Sequence, residues 1–443
     1  MNAEVNTDAA LEWAPHAHER FDVPFRFPYH LGLFMAVNAI PGCYTVIDGP
    51  DCVYRKAEWI HGKHDLRSTL LDAGARHRIA PTMMHSNEVI KSKGDAVRSR
   101  LRRIAQLPEA ELVLINSMPH VQIIGTQYDK IIAEVEAETP LPIIEVPSRA
   151  LEGDFIDGYV EVLNSLALRI PVGGERVRDR VAIIGLFMDR TELDHLANVA
   201  ELERCVAALG LEPCTTWLSN RPLAELALAS TAEILLALPH GRSAAELLAK
   251  RTGAKVVVVE QPFGLRGTIR MIRALAAATD REQAAERLIE AELRQLLPSF
   301  EWLIPSVLLG RTLAFAGDPT LFDGLLDGAR ELGMDVVYLT APARRPAFGC
   351  ELDEHVHGQL PPVSFAAPRM TVARHLLQRE VPIDLCIGGS HTPGGGGGGP
   401  NWLEFGFPSF FRHALFDSPF LGFRGWAWFV QAICNAIMSR PRG

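Results

Sequence analysis

Short apolar strands alternate with longer helical patterns, the alternation restarts twice, and the chain is apolar enough for several cores. Together these predict an α/β fold: three Rossmann-like layers with parallel sheets covered by helices. The chain has 443 residues, 48% hydrophobic and 22% charged, room for more than one domain. RVAIIGLFMD restarts the pattern after the charged PVGGERVRDR, and RTLAFAGDPT restarts it after the linker-like LLPSFEWLIPSVLLG. The expected domains are therefore 1–178, 179–308 and 309–443.

The elements follow in order. TVID (45–48) is a strand that breaks at Gly49-Pro50 and then presents Asp51 and Cys52. The helical DAVRSRLRRIAQL leads into the strand LVLINS (112–117). VAIIGLF (181–187) precedes the helical ELDHLANVAELERCVAALG. EILLAL (233–238) precedes SAAELLAKRTG, and KVVVVE (255–260) follows. LAFAGD (313–318), the helical LFDGLLDGARELG and DVVYLT (335–340) open the third layer, with IDLCIGG (383–389) after them. HTPGGGGGGP (391–400), including Gly394–Gly399, is low-complexity and expected to be a mobile loop rather than a boundary, because an aromatic tail follows it.

Composition narrows the function. The net charge is −9 with no basic tail, which argues against nucleic acid. No apolar run reaches a membrane span, and the N-terminus has neither a basic n-region nor an apolar h-region, so a cytoplasmic protein is expected. Seven cysteines without a CxxC pair argue against a disulfide framework or a self-contained zinc site. The strand ends carry single glycines rather than GxGxxG, and GxxxxGK[ST] is absent, so no nucleotide fingerprint is present.

Cys52 is the first candidate: a metal ligand, a nucleophile, or a half-buried thiol behind a turn. No His/Asp triad pattern accompanies it, which argues against a nucleophile. Cys43 lies at the other end of the strand, roughly 15–20 Å away at the usual rise per residue, so the two thiols are not expected to share one cluster. Only Cys52 lies at the C-terminal strand end, where open α/β sheets place their sites. Cys205, Cys386 and Cys434 fall in helix or strand patterns and are expected in the core; Cys214 and Cys350 fall in loops. His61 and His64 in WIHGKHDLRS lack HExxH and read as a polar loop. The basic run 91–104 is a docking surface or a solvated helix face. The aromatic tail from Trp402 to Phe429 lines an apolar pocket, forms a subunit interface or packs a core.

Several segments, in order, resemble component 1 of the nitrogenase superfamily, which includes the protochlorophyllide and chlorophyllide reductases. They are VIDGPDC, ELVLINSMPHVQIIGTQYDKII, LPIIEVPSRALEGDFIDGYVEVLNSL, LALPHGRSAAELLAKRTGAKVVVVEQPFG, LAFAGDPTLFDGLLDGARELGMDVV and FGFPSFFRHALFDSPFLGFRGWAWFVQAICNAI. There are departures. Two turns where family members carry cluster cysteines read Met83-Met84-His85 and Met118-Pro119-His120. Pro239-His240 stands where the nitrogenase α subunit has its cofactor cysteine. The resemblance implies a reductase that does not fix nitrogen and resembles the one-ligand subunit of the tetrapyrrole reductases. It implies a [4Fe–4S] cluster shared with a homologous cysteine-rich sister subunit, with Cys52 as this chain's thiolate. It further implies electrons from an ATP-dependent iron protein, a small-molecule substrate that is unsaturated or sulfur-containing, and a proton from His85, His120 or Asp51. The alternative is a cluster-free scaffold, cofactor-assembly or ligand-binding subunit of the same fold.

Overall fold

The computed structural model describes residues 23–71, 74, 76–84, 94–122, 125–353, 357–377, 382–393 and 401–439. His85 and the Gly394–Gly399 run lie outside them.

Three parallel sheets organise the chain. The first holds β1 (Cys43–Asp48), β2 (Ile79–Pro81), β3 (Leu112–Ser117) and β4 (Ile143–Glu145) in the order β2-β1-β3-β4. The second holds β5 (Val177–Ile184), β6 (Glu212–Thr216), β7 (Ala232–Ala237) and β8 (Lys255–Val258) in the order β6-β5-β7-β8. The third holds β9 (Thr312–Ala316), β10 (Asp335–Ala341), β11 (Val363–Phe365), β12 (Leu385–Gly388) and β13 (Asn401–Glu404) in the order β11-β10-β9-β12-β13. Every recorded strand pairing is parallel. Residues β1 and β3 are buried throughout, as a strand covered on both faces requires.

The strand order reverses between β1 and β3, between β5 and β7, and between β9 and β12. Connections leave such neighbours in opposite directions, which opens a crevice beyond their carboxyl ends. Each layer thus offers one crevice, and the turns after those strands decide its content.

Helix Phe155–Arg169 joins the first layer to the second by packing on helix Arg242–Thr252, and the final helix joins the third to the second. Helix Tyr29–Asn38 is buried along its whole length, against helix Phe155–Arg169. Gly32 and Gly158 permit that approach: a Cβ on Gly158 would stand 2.1 Å from the Tyr29 carbonyl oxygen. The final helix, Gly422–Met438, packs on Leu193–Ala208 and Gly264–Thr279 of the second layer, with Trp426 and Phe429 buried. One hydrophobic core therefore runs through all three layers.

The segment 296–310, read as a linker, differs from expectation. It continues helix Glu282–Leu303, with Pro298 inside, and ends in the wide turn Ile304–Leu308.

Candidate functional site

Two places have the chemistry of a site. The first is the crevice beyond β1 and β3. There the three turns after β1, β2 and β3 converge on Gly49. The N–H groups of Met83 and Met84 donate to the Gly49 carbonyl at 3.0 and 3.3 Å, and Met118 N–H donates to the Asp48 carbonyl at 3.0 Å. A Cβ on Gly49 would meet Met118 Cγ at 2.4 Å, so the turn requires glycine there. Buried Asp48 fixes the arrangement: its carboxylate accepts from the Thr82 hydroxyl at 2.9 Å and the Tyr128 hydroxyl at 2.7 Å.

Asp51 and Cys52 stand exposed at the rim, where Cys52 begins the short helix Cys52–Ala57. His120 is exposed on the turn after β3. The half-buried alternative for Cys52 is thereby overturned: it is the exposed thiol, while Cys43, Cys205, Cys350, Cys386 and Cys434 are buried and Cys214 is intermediate. Burial pushes the Cys43 thiol up to about 12, which keeps it protonated. Beneath the rim, burial and then the charge of Lys56 hold His30 down at about 3, so that ring stays neutral. Among the described residues no three His, Cys, Asp or Glu side chains gather as a metal site. Among the described residues the chain does not by itself build a cluster site. Its one exposed thiol fits a single ligand position of a cluster completed from another chain.

The second place is a cavity of about 440 Å³ lined from all three layers. Its walls come from the turns after β5, β8, β9 and β13, with Phe155 and His64 from the first layer. After β5, Gly185 takes a φ of +103° and passes so close to Gly241, after β7, that a Cβ on it would lie 2.2 Å from the Gly241 nitrogen. The chain then turns inward through Phe187 and Asp189.

His64, Asp189 and His195 are 1%, 4% and 5% exposed. One Asp189 oxygen lies 2.7 Å from Nε2 of His195 and 3.4 Å from Nε2 of His64. Neither contact is in line for a regular hydrogen bond, and among the described residues Nδ1 of His195 has no partner. Burial opposes the charge of Asp189, but His195 and His64 outweigh it and hold the carboxyl well below its ordinary range. Burial also opposes charge on His195, but Asp189 and then Asp194 outweigh it, so the ring titrates above its ordinary value. Its face packs edge-on to Phe420, with ring centres 5.2 Å apart. A proton held in this way is placed for donation to a group in the cavity.

Arg190 pairs with Asp194 one turn along the chain, and His240 after β7 pairs with Asp318 after β9 at 2.9 Å. The reading of His64 as part of a polar loop is corrected: its Nδ1 accepts the Ser409 N–H at 2.8 Å, which draws the ring inside. Two of the roles open to the aromatic tail, pocket lining and core, are seen. Phe405, Phe407 and Phe420 line the cavity, while Phe423, Trp426 and Phe429 fill the core. Neither Asp51, Cys52 nor His120 lines the cavity. Asp189, His195 and Arg412 were not singled out from sequence. The available signal was the dense polar run DRTELDH directly after an apolar strand.

Fold and site together define a three-layer α/β protein with an exposed thiol at the rim of one layer and a cavity where the layers meet. Residues 29–438 match the family described as nitrogenase component 1 type oxidoreductase, and the chain belongs to that family. The nitrogenase molybdenum-iron protein beta chain of Frankia alni is 22% identical over 427 residues, covering 86% of this chain and 78% of that one. The nitrogenase vanadium-iron protein beta chain of Trichormus variabilis is 22% identical over 430 residues, covering 89% and 91%. A structure titled "Nitrogenase Cp1 at pH 6.5" superposes with a TM-score of 0.78 at 16% identity, covering 94% of this chain and 93% of that one, a likeness of fold. No helix among the described residues is long and apolar enough to cross a membrane.

Proposed function

We propose that the chain is one subunit of a nitrogenase-like reductase acting on an organic substrate rather than dinitrogen. Cys52 contributes one thiolate to a [4Fe–4S] cluster at the interface with a cysteine-rich sister subunit, and the three-layer cavity holds the substrate. The observation that carries the reading is that the one exposed thiol lies at the crevice of the first sheet, in a chain of this family. A bound cluster supplies low-potential single electrons, delivered in this family by an ATP-dependent iron protein. The chain's own residues do the rest. Aromatic walls exclude water, and Asp189 orients His195 through its Nε2 and favours the protonated ring, which lines the chamber. Asp51 and His120 lie at the exposed rim, suited to proton exchange with solvent there.

The test is anaerobic purification with and without co-expressed neighbours, followed by iron and sulfide analysis. Iron that appears only with a sister subunit and is lost in Cys52→Ala supports the proposal. Absence of iron in every combination sinks it. The second reading, a cluster-free ligand-binding subunit, is favoured by one observation: no cysteine lines the cavity. It would be marked by ligand binding without iron.

A further inference from the structure

The cavity holds an imbalance of charge partners. The buried and half-buried carboxylates that line it are committed. Asp194 is held by Arg190 and by the His195 N–H, Asp318 by His240 and Thr320, and Asp189 by the two imidazoles. Glu404 accepts from the Ser390 hydroxyl and from the N–H groups of Phe410 and Phe411 at 3.0 Å each. Arg412 is different. It lines the same cavity, half-buried, with its guanidinium 5.3 Å from the centre of the Trp428 ring. Among the described residues it forms no ion pair and its guanidinium donates no recorded hydrogen bond; only its carbonyl is engaged, by Arg190 and Ser409. Burial and then the charge of Arg190 make its own charge costly there. Stacking on tryptophan occupies the face of the guanidinium and leaves its fork of N–H donors at the edge.

We infer that the cavity takes a small monocarboxylate with an apolar, unsaturated body, its carboxylate on Arg412 and its body among Phe187, Phe405, Phe407 and Phe420. The inference rests on the proposal that this cavity is the substrate chamber, and adds the class of ligand. A planar fork matches a carboxylate with two parallel hydrogen bonds. A single cation without an ion pair among the described residues, beside the charges of Glu404 and Asp194, suits a single negative charge and disfavours a phosphate dianion. The volume, about 440 Å³, lies within the range for a ligand of drug-like size. His195, at the polar wall, leaves Nδ1 without a partner among the described residues.

The experiment is calorimetric titration of the full chain, without iron or partner, with naphthalene-2-carboxylate, naphthalene-2-carboxamide and 2-naphthyl phosphate. The carboxylate is expected to bind about tenfold or more tighter than the amide, the effect of one charged, bidentate contact. The phosphate should bind no tighter than the carboxylate. In Arg412→Gln the carboxylate-to-amide ratio should fall to about one, while Phe420→Ala should weaken both compounds alike. If Arg412→Gln does not fold, Arg412→Lys carries the test, since it keeps the charge, loses the fork and should reduce the ratio. Equal binding of carboxylate and amide, tighter binding of the phosphate, binding of neither, or an unchanged ratio in the Arg412 variants overturns the inference. Because no iron enters the measurement, failure here leaves the Cys52 reading standing, and loss of the Cys52 reading leaves this result standing.

Discussion

Replacing Asp189 by Asn removes the charge between two buried imidazoles and little else. The magnitude follows from burial. His64, Asp189 and His195 are all at most 5% exposed, so screening by water is slight. Breaking a buried ionic contact by removing one partner costs about 3–5 kcal/mol. The pH dependence fixes the sign. His195 titrates above its ordinary 6.5 in the folded chain, so its contribution is complete below 6.5 and is lost as pH rises through the folded value. Asp189 titrates well below 3.8, so its contribution is complete above 3.8 and is lost only as pH falls through its folded value. The contact is therefore whole between these limits, from pH 3.8 to 6.5.

In Asp189→Asn, burial dominates His195. Asp194 still favours its charge and Arg190 opposes it, and His64 faces the same amide. The ring then becomes harder to protonate than in the unfolded chain, and stability rises with pH through that region instead of falling. Urea-unfolding midpoints between pH 5.5 and 8.5 read the difference. The variant should be weaker by about 3–5 kcal/mol at pH 6, with the gap narrowing to about 1–3 kcal/mol at pH 8.5 as the lost charge ceases to matter. A gap below about 1 kcal/mol at pH 6, or one that does not narrow, refutes the reasoning.

Further outcomes can be checked directly. In the native protein a thiol reagent should label Cys52 rapidly and the buried cysteines only after unfolding, and Cys52→Ala should abolish the fast phase in stopped-flow labelling. Gly158→Ala should destabilise by about 2 kcal/mol or more, because its Cβ meets backbone that cannot yield, while Gly173→Ala, with nothing within 4 Å, should melt like the parent. Phe407→Ala should cost about 3–5 kcal/mol, since Phe407 packs against Phe27, Phe155 and His64 at once.

The apolar strands were legible because burial on both faces writes itself as an unbroken run. LVLINS is β3 as read, and the runs at β1, β7, β8, β9, β10 and β12 agree to within a few residues. β6 (EPCTT), β11 (VSF) and β13 (NWLE) were not, since each is short and at or near a sheet edge, where alternation has little length to show. Pro298 and Pro305 disguised 296–310 as a linker, although the helix runs through the first of them. Cys52 could be found because a strand, a Gly-Pro turn and a thiol are contiguous. The cavity could not, because His64, Asp189, Glu404 and Arg412 meet only through tertiary contacts such as the Ser409 N–H to His64.

Glu192 lies close by, buried in the second layer. Its carboxylate accepts the Leu66 N–H of the first layer at 3.0 Å, and the Ala414 N–H and His413 ring of the third at 2.8 Å each. Burial works against its charge, yet those N–H groups with Arg190 and His413 hold its pKa below the ordinary value. A single anion thus serves as the common anchor of three bodies. No layer can tilt away from the other two without stripping a donor from a buried charge. Any opening of the chamber must then be concerted, with all three bodies departing together, or be confined to the exposed Leu415–Phe416 lip at its mouth.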